Sequence, residues 1–248
     1  MPGPSLSAAR RRTPVFTPSC ILGVFLAALC WLAAGSAAAQ KLPDTIAQRA
    51  VACTACHGQE GRAASDGFYP RIAGKPAGYL YNQLVNFREG RRRYPLMIYM
   101  VDHLSDDYLH EIADYFANLH PPYPPPQPVT ATPAVLERGR QLVFSGDTAK
   151  QVPACVACHG QGLTGALPSI PGLLGLPRDY LNAQFGAWKN GTRHAAAPDC
   201  MAQIAARLSD QDMSAAAAWL AAQPMPADVA PAAALTQKLP LACGSYPQ

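Results

Sequence analysis

Two copies of Cys-x-x-Cys-His, at Cys53-Thr54-Ala55-Cys56-His57 and Cys155-Val156-Ala157-Cys158-His159, constrain this 248-residue chain more than any other feature. In that spacing each thiol can form a thioether to one haem vinyl group, and the imidazole that follows lies under the iron as an axial ligand. A zinc knuckle would have to draw Cys53, Cys56, Cys155 and Cys158 together and would leave both histidines unexplained. A dithiol redox motif would need a βαβ context, which the pattern does not show. The motifs therefore point to two covalently bound haem c groups, with His57 and His159 as proximal iron ligands.

An internal repeat carries the motifs. Pro70-Arg-Ile-Ala-Gly74 aligns with Pro171-Gly-Leu-Leu-Gly175, and Tyr79-Leu80-x-x-Gln83-Leu84 with Tyr180-Leu181-x-x-Gln184-Phe185. The register continues from Phe87-Arg88-Glu89-Gly90 to Trp188-Lys189-Asn190-Gly191, and from Leu104-Ser105-Asp106 to Leu208-Ser209-Asp210. The repeat also selects the distal ligands. Met97 and Met201 each stand seven residues before the Leu-Ser pair, whereas Met100 falls opposite Ile204. A lone Met is usually core filler, but matched placement in both halves favours ligation. His103, His110, His120 and His194 have no such counterparts; His194 alone, in the loop leading to Met201, is a conceivable substitute ligand. Arg91, Arg92 and Arg93 read either as partners for a haem propionate or an acidic protein, or as a solvated charge run.

Helix signals follow the same register. The pattern predicts opening helices near Thr45–Ala52 and Pro133–Phe144, and middle helices with Pro76 and Pro177 in their first turn, stopped by Gly90 and Gly191. It predicts final helices capped by Ser105 and Ser209, running to about Leu119 and Gln223. Sustained alternation with β-branched residues is missing, so the expected fold is all-α: two tandem three-helix haem domains. The expected organisation is a signal peptide over 1–39, domains over 40–120 and 131–225, a proline-rich linker over 121–130 and a tail over 226–248. Such small domains would draw on a buried haem for much of their apolar contact.

Arg10, Arg11 and Arg12, then an apolar run from Cys20 to Ala34 and the small residues Ala37-Ala38-Ala39, read as a secretory leader. The run is short for an uncleaved anchor. Leu29 before Cys30 argues against a lipoprotein, and Thr13-Pro14-Val15 against twin-arginine export. Cleavage would remove three arginines and no acids, lowering the formal charge from +4 to +1. Nucleic acid is thus an unsuitable partner. Beyond the motifs and the leader, Cys200 and Cys243 remain; in an oxidising compartment a leftover pair most often forms a disulfide, with two free thiols the alternative.

Together the tandem motifs, Pro-x-[Ile/Leu]-x-Gly, Tyr-Leu-x-x-Gln-[Leu/Phe], the Gly-ended middle helix and the Met ahead of Leu-Ser make the chain resemble the dihaem cytochrome c4 group of class I cytochromes c. The resemblance implies haem domains packed with their haem edges close, and Pro70 and Pro171 offering carbonyls to the proximal imidazoles. Three features depart from that pattern: the first repeat's opening helix lacks a glycine comparable with Gly139 of the second, a proline-rich boundary from Pro121 replaces a plainer linker, and the tail bears Cys243, with Cys200 beside Met201.

The function expected is that of a periplasmic electron carrier between respiratory donors, quinol- or dehydrogenase-linked, and a terminal oxidase or other haem protein, with no catalysis of its own. The alternative is a cytochrome subunit held tightly by a periplasmic dehydrogenase, for which the tail and linker would supply docking. Peripheral membrane association is compatible with both, and the oligomeric state is not legible. A dihaem peroxidase would need one displaceable axial ligand, which the paired methionines argue against.

Overall fold

Hydroxyl or carboxyl side chains placed just ahead of helical runs start five of the helices: Thr45, Ser105, Thr132, Asp199 and Ser209 each accept a hydrogen bond from a first-turn backbone N–H. This computed structural model describes residues 43–63, 67–128 and 130–246, so the leader expected over 1–39 lies outside the described residues. The first repeat contains α1 (Ile46–Arg49), α2 (Val51–His57), α3 (Ala77–Arg88), α4 (Pro95–Val101) and α5 (Asp106–Ala117). The second contains α6 (Pro133–Phe144), α7 (Val156–His159), α8 (Arg178–Lys189), α9 (Cys200–Arg207) and α10 (Asp210–Ala221). Among the described residues the strands are limited to β1 (Gly165–Ala166) and β2 (Ile170–Pro171), an antiparallel pair. The architecture is all-α.

Two local expectations need correction. The helix expected over Thr45–Ala52 is split, because Ala50 turns inward, 1 % exposed, against Leu80, Ile112, Ala113 and Phe116. Pro76 and Pro177 stand ahead of α3 and α8 in extended conformation rather than inside the first turn. Gly90 and Gly191 do close these helices, at φ 73° and 72°, values that suit a residue without Cβ.

Each repeat builds its own core. In the first, Phe87 of α3, Val101 of α4 and Leu109 of α5 pack together. In the second, α6 crosses α10 so closely that a Cβ on Gly139 would stand 2.2 Å from the Ala215 carbonyl oxygen, which explains the glycine. The same crossing is stapled by ions. Asp212, 4 % exposed, accepts from Arg138 Nε at 2.8 Å, from Ser209 Oγ at 2.8 Å and from Lys150 Nζ. Burial opposes its ionisation, but the bonds from Lys150, Ser209 and Arg138 outweigh that and hold the carboxyl well below the usual range. A carboxyl depressed in this way contributes stability that is present above about pH 4 and lost as pH falls through its folded-state pKa. Asp212→Asn is therefore expected to destabilise the second repeat at neutral pH and to flatten acid unfolding; equal pH profiles for variant and parent in urea titrations would contradict this.

The two repeats meet along an approximate two-fold relation. Arg92 and Arg193, equivalent in the repeat, pair as an antiparallel backbone bridge, flanked by bonds from Arg93 N to Thr192 O at 2.8 Å and from His194 N to Arg91 O at 2.7 Å. Their guanidiniums cross over. Arg92 donates to Tyr180 Oη at 3.2 Å and Gln184 Oε1 at 2.8 Å, and Arg193 donates to Gln83 Oε1 at 3.1 Å. Arg92 also reaches Gln83 and Arg193 reaches Gln184 within their own repeats, so each Gln carbonyl serves both arginines. Each guanidinium stacks on the equivalent aromatic ring, Phe87 for Arg92 and Trp188 for Arg193. Half-buried Arg92 is thus a structural element between the repeats rather than part of a solvated charge run. Arg91 bonds Asn86 and Glu89 instead.

The linker and the tail are both pinned. Buried Arg71 donates to the carbonyls of Pro121 and Pro122 and lies over the Tyr123 ring, while Gln127 bonds α10 and the start of α8. The tail folds back on the second repeat through Ala232, which pairs with Gly165 and Leu167, and through a Cys200–Cys243 disulfide. Asn82 of the first repeat and Ser169 of the second both donate to the Ser245 carbonyl.

Candidate haem-binding sites

Each Cys-x-x-Cys-His motif ends a short helix with its histidine buried: His57 closes α2 and His159 closes α7, both 8 % exposed. His57 Nδ1 lies 2.9 Å from the Pro70 carbonyl oxygen and His159 Nδ1 lies 2.8 Å from that of Pro171. A carbonyl can only accept, so Nδ1 carries the proton in both rings and the Nε2 lone pair is left for a metal. Burial lowers the pKa of both imidazoles despite the carbonyl bond; Arg92 lowers that of His57 further, and Lys75 that of His159. Both rings are thereby kept neutral, the form that ligates.

The thiols are set in apolar surroundings. Burial pushes Cys155 up to about 12 and raises Cys53 and Cys158 as well, so these thiols stay protonated and make poor zinc or disulfide-exchange groups. Among the described residues no three His, Cys, Asp or Glu side chains gather as a metal cluster.

In the second repeat Cys158, His159, Pro171, Trp188 and Met201 line one cleft enclosing about 1230 Å3, its open mouth included. Cys155 packs at the edge of the adjoining core. Met201 is the second residue of α9, beside the disulfide, and the tail residues Leu241, Cys243 and Ser245 complete the wall. In the first repeat His57 meets Tyr69 edge-on, Tyr69 meets Tyr94, and Tyr94 packs in the core cluster that also holds Met97. Met97 is partly buried, while Met100 is 41 % exposed. His194 is exposed, with Nε2 bonded to the Gly191 carbonyl, and His110 stacks on Tyr81.

The cleft suits a flat apolar ring with acidic substituents. Trp188 Nε1 is buried and has no hydrogen-bond partner among the described residues, a donor in want of an acceptor. Arg92 and Arg193 lie together between the repeats and bond the neutral oxygens of Gln83, Gln184 and Tyr180, with Tyr79 a further partner of Arg193, and both Arg193 and Lys75 line the cleft. Burial and then the neighbouring Arg92 push Arg193 down, the mark of cations packed together without an anion. Haem propionates would supply both the acceptor and the negative charge.

Sequence and fold relatives bear on the same point. No protein-family model matches the chain. It is 39 % identical over 201 residues, 88 % of the relative's length, to the thiosulfate dehydrogenase electron acceptor of Thiomonas intermedia. It is 32 % identical over 193 residues to cytochrome c4 of Pseudomonas aeruginosa, 89 % of whose length is covered. The chain belongs to the cytochrome c4 family. This cytochrome also superposes on the reduced cytochrome c4 of Pseudomonas stutzeri with a TM-score of 0.62 and 28 % identity, covering 71 % of its own length and 96 % of that chain. With a TM-score of 0.63 and 33 % identity, 70 % of its length matches the thiosulfate dehydrogenase TsdBA of Marichromatium purpuratum, of which it spans only 36 %. As a cytochrome c4 it is a dihaem c-type electron-transfer protein. Each bound haem supplies one-electron cycling between ferric and ferrous iron.

The chain's own task is to hold, orient and shield the groups. The disulfide closes a sequence separation of 43 residues and keeps the tail over the Met201 side of the cleft. Removing it by Cys200→Ser with Cys243→Ser is expected to cost roughly 4 kcal/mol of stability by loop entropy. Guanidinium unfolding of variant and parent, with no change in midpoint, would contradict that.

Proposed function

We propose that this cytochrome accepts single electrons from a periplasmic dehydrogenase, thiosulfate dehydrogenase being the first candidate, and passes them to a respiratory acceptor. The observation that carries the reading is the 39 % identity to an electron acceptor of thiosulfate dehydrogenase across 88 % of that relative. A second such acceptor, from Stutzerimonas stutzeri, is 36 % identical over 172 residues. In this reading Cys53 and Cys56 hold one haem and Cys155 and Cys158 the other. His57 with Met97, and His159 with Met201, are the axial ligands, and the carbonyls of Pro70 and Pro171 fix the imidazoles. With both axial positions filled, substrate chemistry belongs to the partner and this chain carries electrons only. Because the tail is folded onto the second repeat, it is not a free arm for docking, and the subunit role rests on the relatives rather than on the extension.

The test is anaerobic mixing of the oxidised cytochrome with a purified thiosulfate dehydrogenase and thiosulfate. Reduction of both haems at a rate that saturates with cytochrome concentration is the expected result. Haems that ascorbate reduces but the dehydrogenase with thiosulfate does not would overturn this donor. Migration with the enzyme in native gels would make the chain a resident subunit, and separate migration a shuttle.

A further inference from the structure

Lys75 is buried at 8 % exposure, follows Gly74 at the approach to α3, and belongs to the first repeat; yet it lines the cleft of the second, with His159 and Trp188. Its counterpart in the repeat is Leu176, so the charge has no mirror image. The groups that act on it are the Tyr180 hydroxyl, which favours its charge, and Arg71, which opposes it. Burial holds its pKa down to about 8, so it remains a cation at neutral pH. A buried ammonium without an anion is costly, and the chain would not carry one at this depth without something to pair it. In the same cleft Trp188 offers its unpartnered indole N–H, where the first repeat has Phe87 and no donor.

We propose that Lys75 of the first repeat is the ammonium partner of a propionate on the haem held by Cys155, Cys158 and His159 of the second, with Trp188 donating to the same acidic edge. The proposal rests on the ligation reading above. Two consequences follow. A cation beside a redox centre favours its reduced state, so Lys75 raises the potential of the second haem selectively. Loading of the second haem also ties the two repeats together, because the pairing crosses the boundary between them.

The experiment is spectroelectrochemical titration of the holoprotein and of Lys75→Gln and Lys75→Arg. Each midpoint is assigned by nuclear Overhauser contacts from haem methyls to the Trp188 ring for the second haem, or to Phe87 for the first. Lys75→Gln is expected to shift the oxidised-to-reduced ratio of the second haem about tenfold toward oxidised, which is about 59 mV for one electron, with the first haem little changed. Lys75→Arg should restore the parent value. If Lys75→Gln moves neither midpoint, or only that of the first haem, while both haems keep their native spectra, the pairing is wrong and the two-haem ligation stands. A parent protein lacking covalent haem at the second motif would overturn both.

Discussion

Met201→Ala is expected to lower the potential of one haem by on the order of 0.2 V and to open that haem to carbon monoxide, with Met97→Ala doing the same to the other. In the proposed ligation the thioether would favour ferrous iron, and its loss would leave a sixth position vacant or taken by water. The two variants should differ in access. Met201 sits under a tail held by Cys200–Cys243, whereas α4 around Met97 carries the exposed residues Leu96, Tyr99 and Met100. Carbon monoxide should therefore bind Met97→Ala faster than Met201→Ala, measured by flash photolysis. If neither variant binds the gas, the distal assignment is wrong.

Arg193→Ala is expected to uncouple the repeats. Arg193 is 6 % exposed, and its guanidinium donates to Gln184 Oε1 at 2.6 Å and Gln83 Oε1 at 3.1 Å and covers the Trp188 ring. Its removal leaves Arg92 as the one remaining guanidinium donor to both amide oxygens and opens a hole beside an indole, a loss of about 2 kcal/mol. Because the bond to Gln83 crosses between repeats, part of the loss should fall on their association. Calorimetry of the holoprotein should show two separated transitions where the parent shows one, and a single transition with unchanged midpoint would contradict the interface. Arg91→Ala, which removes only side-chain bonds made within the first repeat and keeps the backbone bond from His194, is the control.

The helical frame was legible because its punctuation is local. Ser105 and Ser209 precede acids at matched positions, and both cap helices as the side-chain chemistry requires. Pro133–Phe144 is a helix at the expected limits. The sequence left Cys200 and Cys243 as either a disulfide or two free thiols, and the disulfide is present. What escaped was decided by distant contacts. Nothing local marks the break at Ala50, which comes from its burial against α3 and α5. Arg92 was lost in a run of three arginines read by charge alone, although it keeps the same 101-residue offset to Arg193 that links Gln83 to Gln184. That shared offset was the missed signal. Lys75 and Trp188 gave none, because a residue of one repeat facing the cleft of the other is a property of the interface rather than of either half.

The central claim is one His/Met-ligated haem in each repeat. Near-infrared magnetic circular dichroism of the fully oxidised protein tests it most directly, because the methionine-to-ferric-iron charge-transfer band counts such sites. The account predicts intensity for two sites in the parent and for one in Met97→Ala or Met201→Ala. Intensity for a single site in the parent would contradict it and would leave one haem with an open or differently ligated iron.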